Sequence, residues 1–190
     1  MPGDVLVVVD MQVGLLDGAQ KHDLAGVIQR INALAAMVRQ HGGQVVWIRH
    51  CGKAGDGFEP GSKGWAFLPE LVRQPDDVVV EKTLNDSFAG TALYDTLRQI
   101  TPDRVLIAGW ATDSCVDSTV RSAISRDCDV VVASDAHTVS DRPHLAAAAI
   151  IRHHNWVWSD LLTNRSIRLA TTDELIAESH VRTAGVPPAS

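Results

Sequence analysis

Short runs rich in valine and isoleucine recur along the chain and alternate with stretches whose apolar residues have helical spacing. An uninterrupted apolar run is typical of a strand that is buried on both faces of a parallel sheet. The alternation with helices therefore predicts an α/β fold with five or six parallel strands. The runs are Val5–Val9, Gln44–Ile48, Val78–Val80, Arg104–Ala108, Val130–Ala133 and, more weakly, Ile167–Ala170.

The first helix lies between the first two strands, so this unit reads as strand, helix, strand. Asp23 is a candidate N-cap, apolar residues follow at helical spacing, and Gly42 ends the pattern. Further helical patterns run from Cys115 to Ser125 and from Pro143 to about Leu161, with Pro143 suited to the first turn. The expected architecture is a three-layer doubly wound fold.

The length of 190 residues predicts one domain, which we assign to residues 1–182 with a flexible tail at 183–190. The formal net charge of -6 disfavours nucleic acid and anionic membranes as partners. The first residues lack a basic segment, and the run Val5–Val9 is too short for a signal peptide or a membrane span. These features predict a cytoplasmic protein.

Three cysteines, Cys51, Cys115 and Cys128, are an odd number without a CxxC pair. This count favours reduced thiols over a disulfide framework or a zinc site. The segment from His50 to Gly64 has five glycines and no periodicity, which predicts a long loop over the carboxyl edge of the sheet. Such a loop is a candidate lid or pocket wall.

Asp10, Lys82 and Cys115 each follow a different predicted strand. Alone, each has a plain structural explanation: an Asx turn or helix cap for Asp10, a solvated ion pair for Lys82, and an inert buried thiol for Cys115. Together they indicate a site, because the carboxyl ends of parallel strands face one ligand crevice. A helix beginning at Cys115 is expected to favour its thiolate.

The chain resembles the isochorismatase-like hydrolases, the cysteine hydrolase superfamily that includes nicotinamidases and N-carbamoylsarcosine amidases. The resemblance covers nearly the whole chain, and its marks are Val9 to Gln12, Glu81 with Lys82, Ser87 to Thr91, and Gly109 to Val116.

The resemblance implies a catalytic triad of Asp10, Lys82 and Cys115, and a six-stranded sheet of order 3-2-1-4-5-6. It also implies a cis peptide between Trp110 and Ala111, with the backbone N-H groups of Ala111 and Cys115 forming an oxyanion hole.

Two departures from relatives shape the expected chemistry. Metal-binding members carry an Asp-x-His pair after the second strand, where this chain has Arg49 to Lys53, so we predict no metal and no other cofactor. His22 and His50 are the remaining candidates for a metal site. Members that cleave the vinyl ether of isochorismate typically lack the cysteine, whereas Cys115 suits attack on an acyl carbon.

The resemblance and motif spacing predict an apolar pocket lined by Leu15, Trp65, Phe88 and Trp110, with packing in the core as the alternative for Trp65. Asp113 and Ser114 are expected at its mouth.

Two motifs near the C-terminal end read as structural. Asp135 and His137 are interpreted as a turn, and the aromatic run from His153 to Trp158 as core and subunit packing. We therefore expect a homodimer or larger homo-oligomer.

The predicted function is hydrolysis of an amide, lactam or carbamoyl C-N bond in a small molecule through a thioester. The alternatives are a vinyl-ether hydrolase of the isochorismatase type and a non-catalytic scaffold that binds a small ligand. A phosphoryl-accepting domain fits less well, because Lys82 stands where such a domain needs an acidic residue for Mg²⁺.

Overall fold

The computed structural model describes residues 3–184 of the chain. The predicted tail therefore lies outside the described residues, except that positions 183 and 184 end the last helix. The strands are β1 (Val5–Val9), β2 (Gln44–His50), β3 (Val78–Lys82), β4 (Val105–Trp110), β5 (Val130–Thr138) and β6 (Ile167–Ala170). The helices are α1 (Val13–Leu16), α2 (Leu24–Gln40), α3 (Leu93–Ile100), α4 (Asp117–Ile124), α5 (Ala147–Ser159) and α6 (Thr172–Ala184), with a π-helical turn at Thr112–Val116 before α4.

The six strands form one parallel sheet in the order β3-β2-β1-β4-β5-β6, which confirms the predicted fold class and strand order. Val9 at the end of β1 is in register with Ile48 of β2 and Gly109 of β4. The carboxyl ends of β1 and β4 therefore lie side by side, at the point where the strand order reverses. A crevice at this position is where doubly wound folds bind ligands.

Helices cover both faces of the sheet, and β1 accordingly has no alternation of apolar and polar residues. Leu6 and Val8 pack in the core cluster that includes α2 and α6, whereas Val5, Val7 and Val9 pack in the cluster that includes α3 and α4. All five residues of β1 are fully buried. In the described part of the chain, no helix is both long and apolar enough to cross a membrane.

Several predicted boundaries were wrong. β5 extends to Thr138 beyond an irregularity in its pairing with β4, so Asp135 and His137 belong to a strand and not to a turn. Helix α5 begins at Ala147, because Arg142 and Leu145 first pair in a tight turn and Asp141 accepts the Ala147 N-H. Pro143 lies in that turn and not in the helix.

The connection from β2 to β3 spans residues 51–77 and has no helix or strand, as the glycine-rich segment predicted. Its second half is tied to the chain that follows β1. The amides of Val13 and Gly14 donate to Ala66 and Gly64, and the amide of Leu68 donates to Met11. The loop is thereby positioned at the carboxyl edge of β1 and β2, and its action as a lid stays a prediction.

Candidate active site

A buried ion pair joins the ends of β1 and β3. Asp10 follows β1 with a φ of 52°, a left-handed conformation that is uncommon outside glycine but tolerated by aspartate. Lys82 is the last residue of β3. Its Nζ lies 2.6 Å from Asp10 Oδ2, and both side chains are fully buried. A pair of charges this deep persists only when each charge compensates the other.

The ammonium group of Lys82 is surrounded by three acceptors. It donates to the carbonyl oxygen of Leu84 at 2.9 Å and to Cys115 Sγ at 3.5 Å, and its third neighbour is the Asp10 carboxylate. A lysine has three N-H donors, so this environment matches the charged form of Lys82. Neither Asp10 oxygen has an aligned hydrogen bond to another described residue, although both are buried.

The Cys115 thiol lies in the π-helical turn between β4 and α4. Besides Lys82, its sulfur has Asn85 Oδ1 at 3.7 Å and the neighbouring Ser114 Oγ at 3.9 Å. The structure therefore brings together all three residues of the predicted triad, from the ends of three different strands. Their catalytic roles stay a proposal, developed below.

The expectation that a helix N-terminus favours the thiolate of Cys115 was wrong. Burial and the negative charge of Asp10 raise the pKa of Cys115 to about 11, and the nearby Lys82 charge lowers it only in part. Burial also raises the pKa of Asp10, against the opposing effect of Lys82. At neutral pH the Cys115 thiol is therefore protonated, and the Lys82 charge favours the carboxylate form of Asp10 against the effect of burial.

The turn that carries Cys115 is fixed by backbone contacts to Ala111. The Trp110–Ala111 peptide bond is cis. The carbonyl oxygen of Ala111 accepts the amides of Ser114 at 3.0 Å and Val116 at 3.1 Å. The predicted oxyanion hole of Ala111 and Cys115 N-H groups stays a prediction. Directly before Trp110, a Cβ at Gly109 would overlap the Val9 carbonyl oxygen, so β1 and β4 can approach only with glycine there.

A chain of hydrogen bonds supports the same turn from behind, through residues that sequence reasoning missed or read only as a turn. Asn155 Nδ2 donates to the Ser134 carbonyl oxygen, which leaves Asn155 Oδ1 facing His137 Nε2 at 2.9 Å. His137 Nε2 must then carry the proton, and Nδ1 accepts from the Thr112 hydroxyl at 2.9 Å. Burial lowers the pKa of His137 to about 4, so the imidazole is neutral at pH 7.

The four predicted pocket residues have different surroundings. Leu15 and Trp110 are half-buried, and Lys21 Nζ lies 5.4 Å from the Trp110 ring centroid. Trp65 donates to Cys51 Sγ at 3.2 Å and stacks against the Arg49 guanidinium. Phe88 is a core residue with 4% exposure. The substrate-binding role of all four stays a prediction.

Of the two residues expected at the pocket mouth, Asp113 forms an ion pair with Arg142. Arg142 donates two hydrogen bonds to the Asp113 carboxylate, at 2.7 and 2.8 Å. This pairing lowers the pKa of Asp113 against the effect of burial. The negative charge of Asp113 is thereby neutralised locally, which reduces its repulsion toward an approaching acidic group.

His22 and His50, the two candidate metal ligands, have different surroundings. Within residues 3–184, no group of three or more His, Cys, Asp or Glu side chains lies close enough together to hold an ion. His50 ends β2, where its ring packs edge-on against Phe58 with centroids 6.4 Å apart. His22 follows the first helix, and its backbone bonds to Val139 and Thr138. All three cysteines are free thiols.

Comparison with protein-family models identifies an Isochorismatase domain over residues 4–160. The chain belongs to the isochorismatase family. This isochorismatase-family chain is 32% identical over 139 residues to a streptothricin hydrolase of Streptomyces noursei, covering 73% of the chain and 50% of that protein. It is 29% identical over 184 aligned positions to the ureidoacrylate amidohydrolase RutB of Methylorubrum extorquens, covering 77% of the chain and 74% of that protein.

Structural comparison agrees. The crystal structure of an isochorismatase family protein matches with a TM-score of 0.79 and 28% sequence identity, covering 88% of this chain and 98% of the other. The isochorismatase-family chain spans about half the length of the streptothricin hydrolases that it matches.

Proposed function

We propose that this isochorismatase-family chain is a cysteine hydrolase that cleaves an amide-type C-N bond of a small molecule. One observation carries the proposal: Lys82 Nζ lies 2.6 Å from the Asp10 carboxylate and 3.5 Å from the Cys115 sulfur. A carboxylate base and a thiol nucleophile held beside the same cation are the parts that covalent acyl transfer needs. The names of the relatives, streptothricin hydrolase and ureidoacrylate amidohydrolase, support hydrolysis of this kind.

The first half of the reaction forms a thioester. The Cys115 thiol is protonated in the resting site, because its pKa is raised to about 11. Proton transfer to Asp10 therefore accompanies attack of the sulfur on the carbonyl carbon, which becomes tetrahedral. Asp10 then returns that proton to the leaving nitrogen as the C-N bond breaks, and the amine departs.

The second half hydrolyses the thioester. Asp10, again ionised, takes a proton from a water molecule that attacks the same carbonyl carbon. The C-S bond breaks, the proton returns to the sulfur, and the free acid leaves. Lys82 keeps its charge throughout, and its N-H beside the sulfur stabilises the developing thiolate in both halves.

The test uses a panel of small amides, including nicotinamide, maleamate, an N-carbamoyl amino acid and the streptothricin lactam. We expect the wild-type chain to release ammonia, amine or new carboxylate from at least one of them. Quenching during turnover should give a Cys115 acyl adduct that intact-mass measurement detects. The Cys115→Ala variant should lose both the turnover and the adduct while it unfolds at the same urea concentration as the wild type.

Two outcomes separate this proposal from its alternatives. Turnover of isochorismate that survives in Cys115→Ala supports vinyl-ether hydrolysis. Binding of panel compounds with no turnover and no adduct supports a ligand-binding scaffold.

The assembly and location of the protein also belong to this proposal. We infer a homodimer or larger homo-oligomer that acts in the cytoplasm on a small molecule without a cofactor. The exposed Trp156 side chain on α5 supports the oligomeric assembly. Fractionation of the source cells tests the cytoplasmic location.

A further inference from the structure

Asn85 is an exposed amide beside the proposed nucleophile. It lies three residues after Lys82, on the loop that leaves β3. Its side-chain oxygen Oδ1 is 3.7 Å from Cys115 Sγ, within the range of a weak hydrogen bond from the thiol. The triad mechanism assigns no task to this contact.

The loop that carries Asn85 is held on both sides. On one side, the carbonyl oxygen of Leu84 accepts a hydrogen bond from Lys82 Nζ at 2.9 Å. On the other, the Asp86 carboxylate accepts the Phe88 amide and the Ser122 hydroxyl, each at 2.8 Å. Asn85 is thus exposed, while its neighbours anchor its backbone to the site and to α4.

The two sides of the sulfur differ in access. Lys82 has 2% exposure and Asp10 none, so this side of the thiol is closed to a ligand. Asn85 is the exposed residue in contact with the sulfur, and it therefore marks the side from which a substrate arrives. A carbonyl compound that approaches the sulfur from this exposed side meets the Asn85 amide.

The chemistry of the contact changes when the sulfur attacks. When the thiol hydrogen points away from Asp10, the S-H group donates to Asn85 Oδ1. Once the thiol proton has passed to Asp10, this oxygen has lost its donor and becomes a free acceptor. The leaving nitrogen is bonded to the carbon that the sulfur attacks, so an N-H on that nitrogen comes within reach of the same oxygen.

We propose that Asn85 is a specificity-determining residue whose Oδ1 accepts an N-H from the substrate, so that the site prefers primary and secondary amides to esters. This inference rests on the proposed function for its place in the reaction. An ester has no N-H to offer and leaves the acceptor unpaired. A site built around a hydrogen bond discriminates against analogues that lack the matching group.

The preference can be measured without turnover. Cys115 is alkylated with 2-chloroacetamide and, separately, with methyl chloroacetate, which carries an ester in place of the amide. The ratio of the two rates is divided by the same ratio for free 2-mercaptoethanol, which removes the intrinsic reactivity of the probes. Peptide mass spectrometry assigns the adduct to Cys115 and separates it from Cys51 and Cys128.

The wild-type chain should favour the amide probe, and Asn85→Leu should reduce this corrected ratio about fivefold or more, the size of one hydrogen bond. Asn85→Asp retains an acceptor oxygen, so its ratio should stay near the wild-type value even though its added negative charge slows both reactions. Thr83→Ala changes another exposed residue of the same loop and should leave the ratio unchanged.

Equal corrected ratios in the wild type and Asn85→Leu would overturn the inference, as would an equal fall in Thr83→Ala. A second readout compares hydrolysis of an amide and the methyl ester of the same acid. If neither compound is hydrolysed but the alkylation preference depends on Asn85, recognition of N-H groups stands and the proposed hydrolase function fails. If hydrolysis occurs and Asn85→Leu does not change the alkylation preference, the proposed hydrolase function stands and the proposed role of Asn85 fails.

Discussion

At the Cys115 thiol, the charge that makes Asp10 a proton acceptor also opposes ionisation of the sulfur. Burial and the Asp10 carboxylate together hold the pKa of Cys115 near 11, while Lys82 pulls it down. The site is therefore not a preformed thiolate. In the proposed reaction, the thiolate is generated when the proton moves from Cys115 to Asp10.

This arrangement predicts that Asp10→Asn separates two properties of Cys115. Hydrolysis should fall about 100-fold or more, because the general base is removed. Alkylation by iodoacetamide at pH 7 should become faster, since the pKa of Cys115 drops and each unit increases the thiolate fraction about tenfold. Stopped-flow alkylation and steady-state turnover of the same preparation measure both rates.

Urea unfolding serves as the control, because Asp10→Asn leaves the Lys82 charge without its partner in the core. A variant that loses alkylation together with hydrolysis would contradict the assigned electrostatics. A variant that keeps full hydrolysis would remove Asp10 from the mechanism.

A second residue-scale prediction concerns metal. The donors nearest the site, such as His50, do not meet two further ligands within the described range. We expect kcat to be unchanged after dialysis against EDTA and 1,10-phenanthroline, once the preparation holds less than about one tenth of a metal ion per chain. A metal site at His50 would be established by three results together. Activity is lost on metal removal, zinc or iron restores it in the wild type, and neither metal restores it in His50→Ala.

At the scale of elements, the π-helical turn of Cys115 depends on β5 and α5. His137 of β5 accepts the Thr112 hydroxyl and donates to Asn155 of α5, with only 2% of its surface exposed. Burial is the main cause that lowers its pKa, and the adjacent His154 adds to it while Asp135 opposes it. A neutral imidazole therefore connects the turn of Cys115 to α5.

This network predicts a specific dependence of stability on pH. The pKa of His137 is about 4 in the folded chain, against an ordinary histidine value of 6.5. The contribution of neutral His137 to the free energy of unfolding is complete above pH 6.5. It is lost as the pH falls toward 4, because the unfolded chain then binds a proton that the folded chain does not. The loss amounts to about 3 kcal/mol at most.

The measurement is the free energy of unfolding in urea between pH 7 and pH 4, for the wild type and for His137→Gln. Other groups titrate in both proteins, so the difference between the two curves isolates His137. We expect the variant to be less stable at pH 7 but to lose less stability on acidification. Parallel curves would show that His137 is not a buried neutral group.

At the scale of the whole molecule, α5 presents two tryptophans to opposite environments. Trp158 is fully buried and donates to the Asp117 carboxylate at 2.8 Å, whereas Trp156 is 64% exposed. An exposed tryptophan on a helix surface is typical of a contact between subunits. The aromatic run that sequence analysis assigned to core and subunit packing thus contains one residue of each environment.

We therefore predict that Trp156→Glu shifts the protein toward the monomer. Multi-angle light scattering at several concentrations should give a dimer or larger species for the wild type and a smaller mass for the variant. Leu162→Glu is a matched control, because Leu162 is 96% exposed on the loop after α5. A wild-type monomer, or an unchanged assembly in Trp156→Glu, would exclude this surface as the interface.

Secondary structure and site residues followed from local patterns. A run such as Val5–Val9 is typical of a strand buried on both faces of a sheet, and parallel strands place their carboxyl ends at one edge. Asp10, Lys82 and Cys115 could therefore be assigned to one crevice from sequence, and the family motifs supplied the strand order. The start of α5 could not be assigned, because Asp141 and Leu145 build a turn through contacts that no periodicity reveals.

Protonation and contacts across strands were decided only by the tertiary structure. The local pattern suggested a thiolate at a helix start, but the pKa of Cys115 depends on burial and on a carboxylate more than 100 residues earlier in the chain. The contact with Asn85 and the proton position on His137 likewise depend on side chains from other elements. Electrostatic free energies follow distance and solvent exposure, and both are set by how the strands assemble.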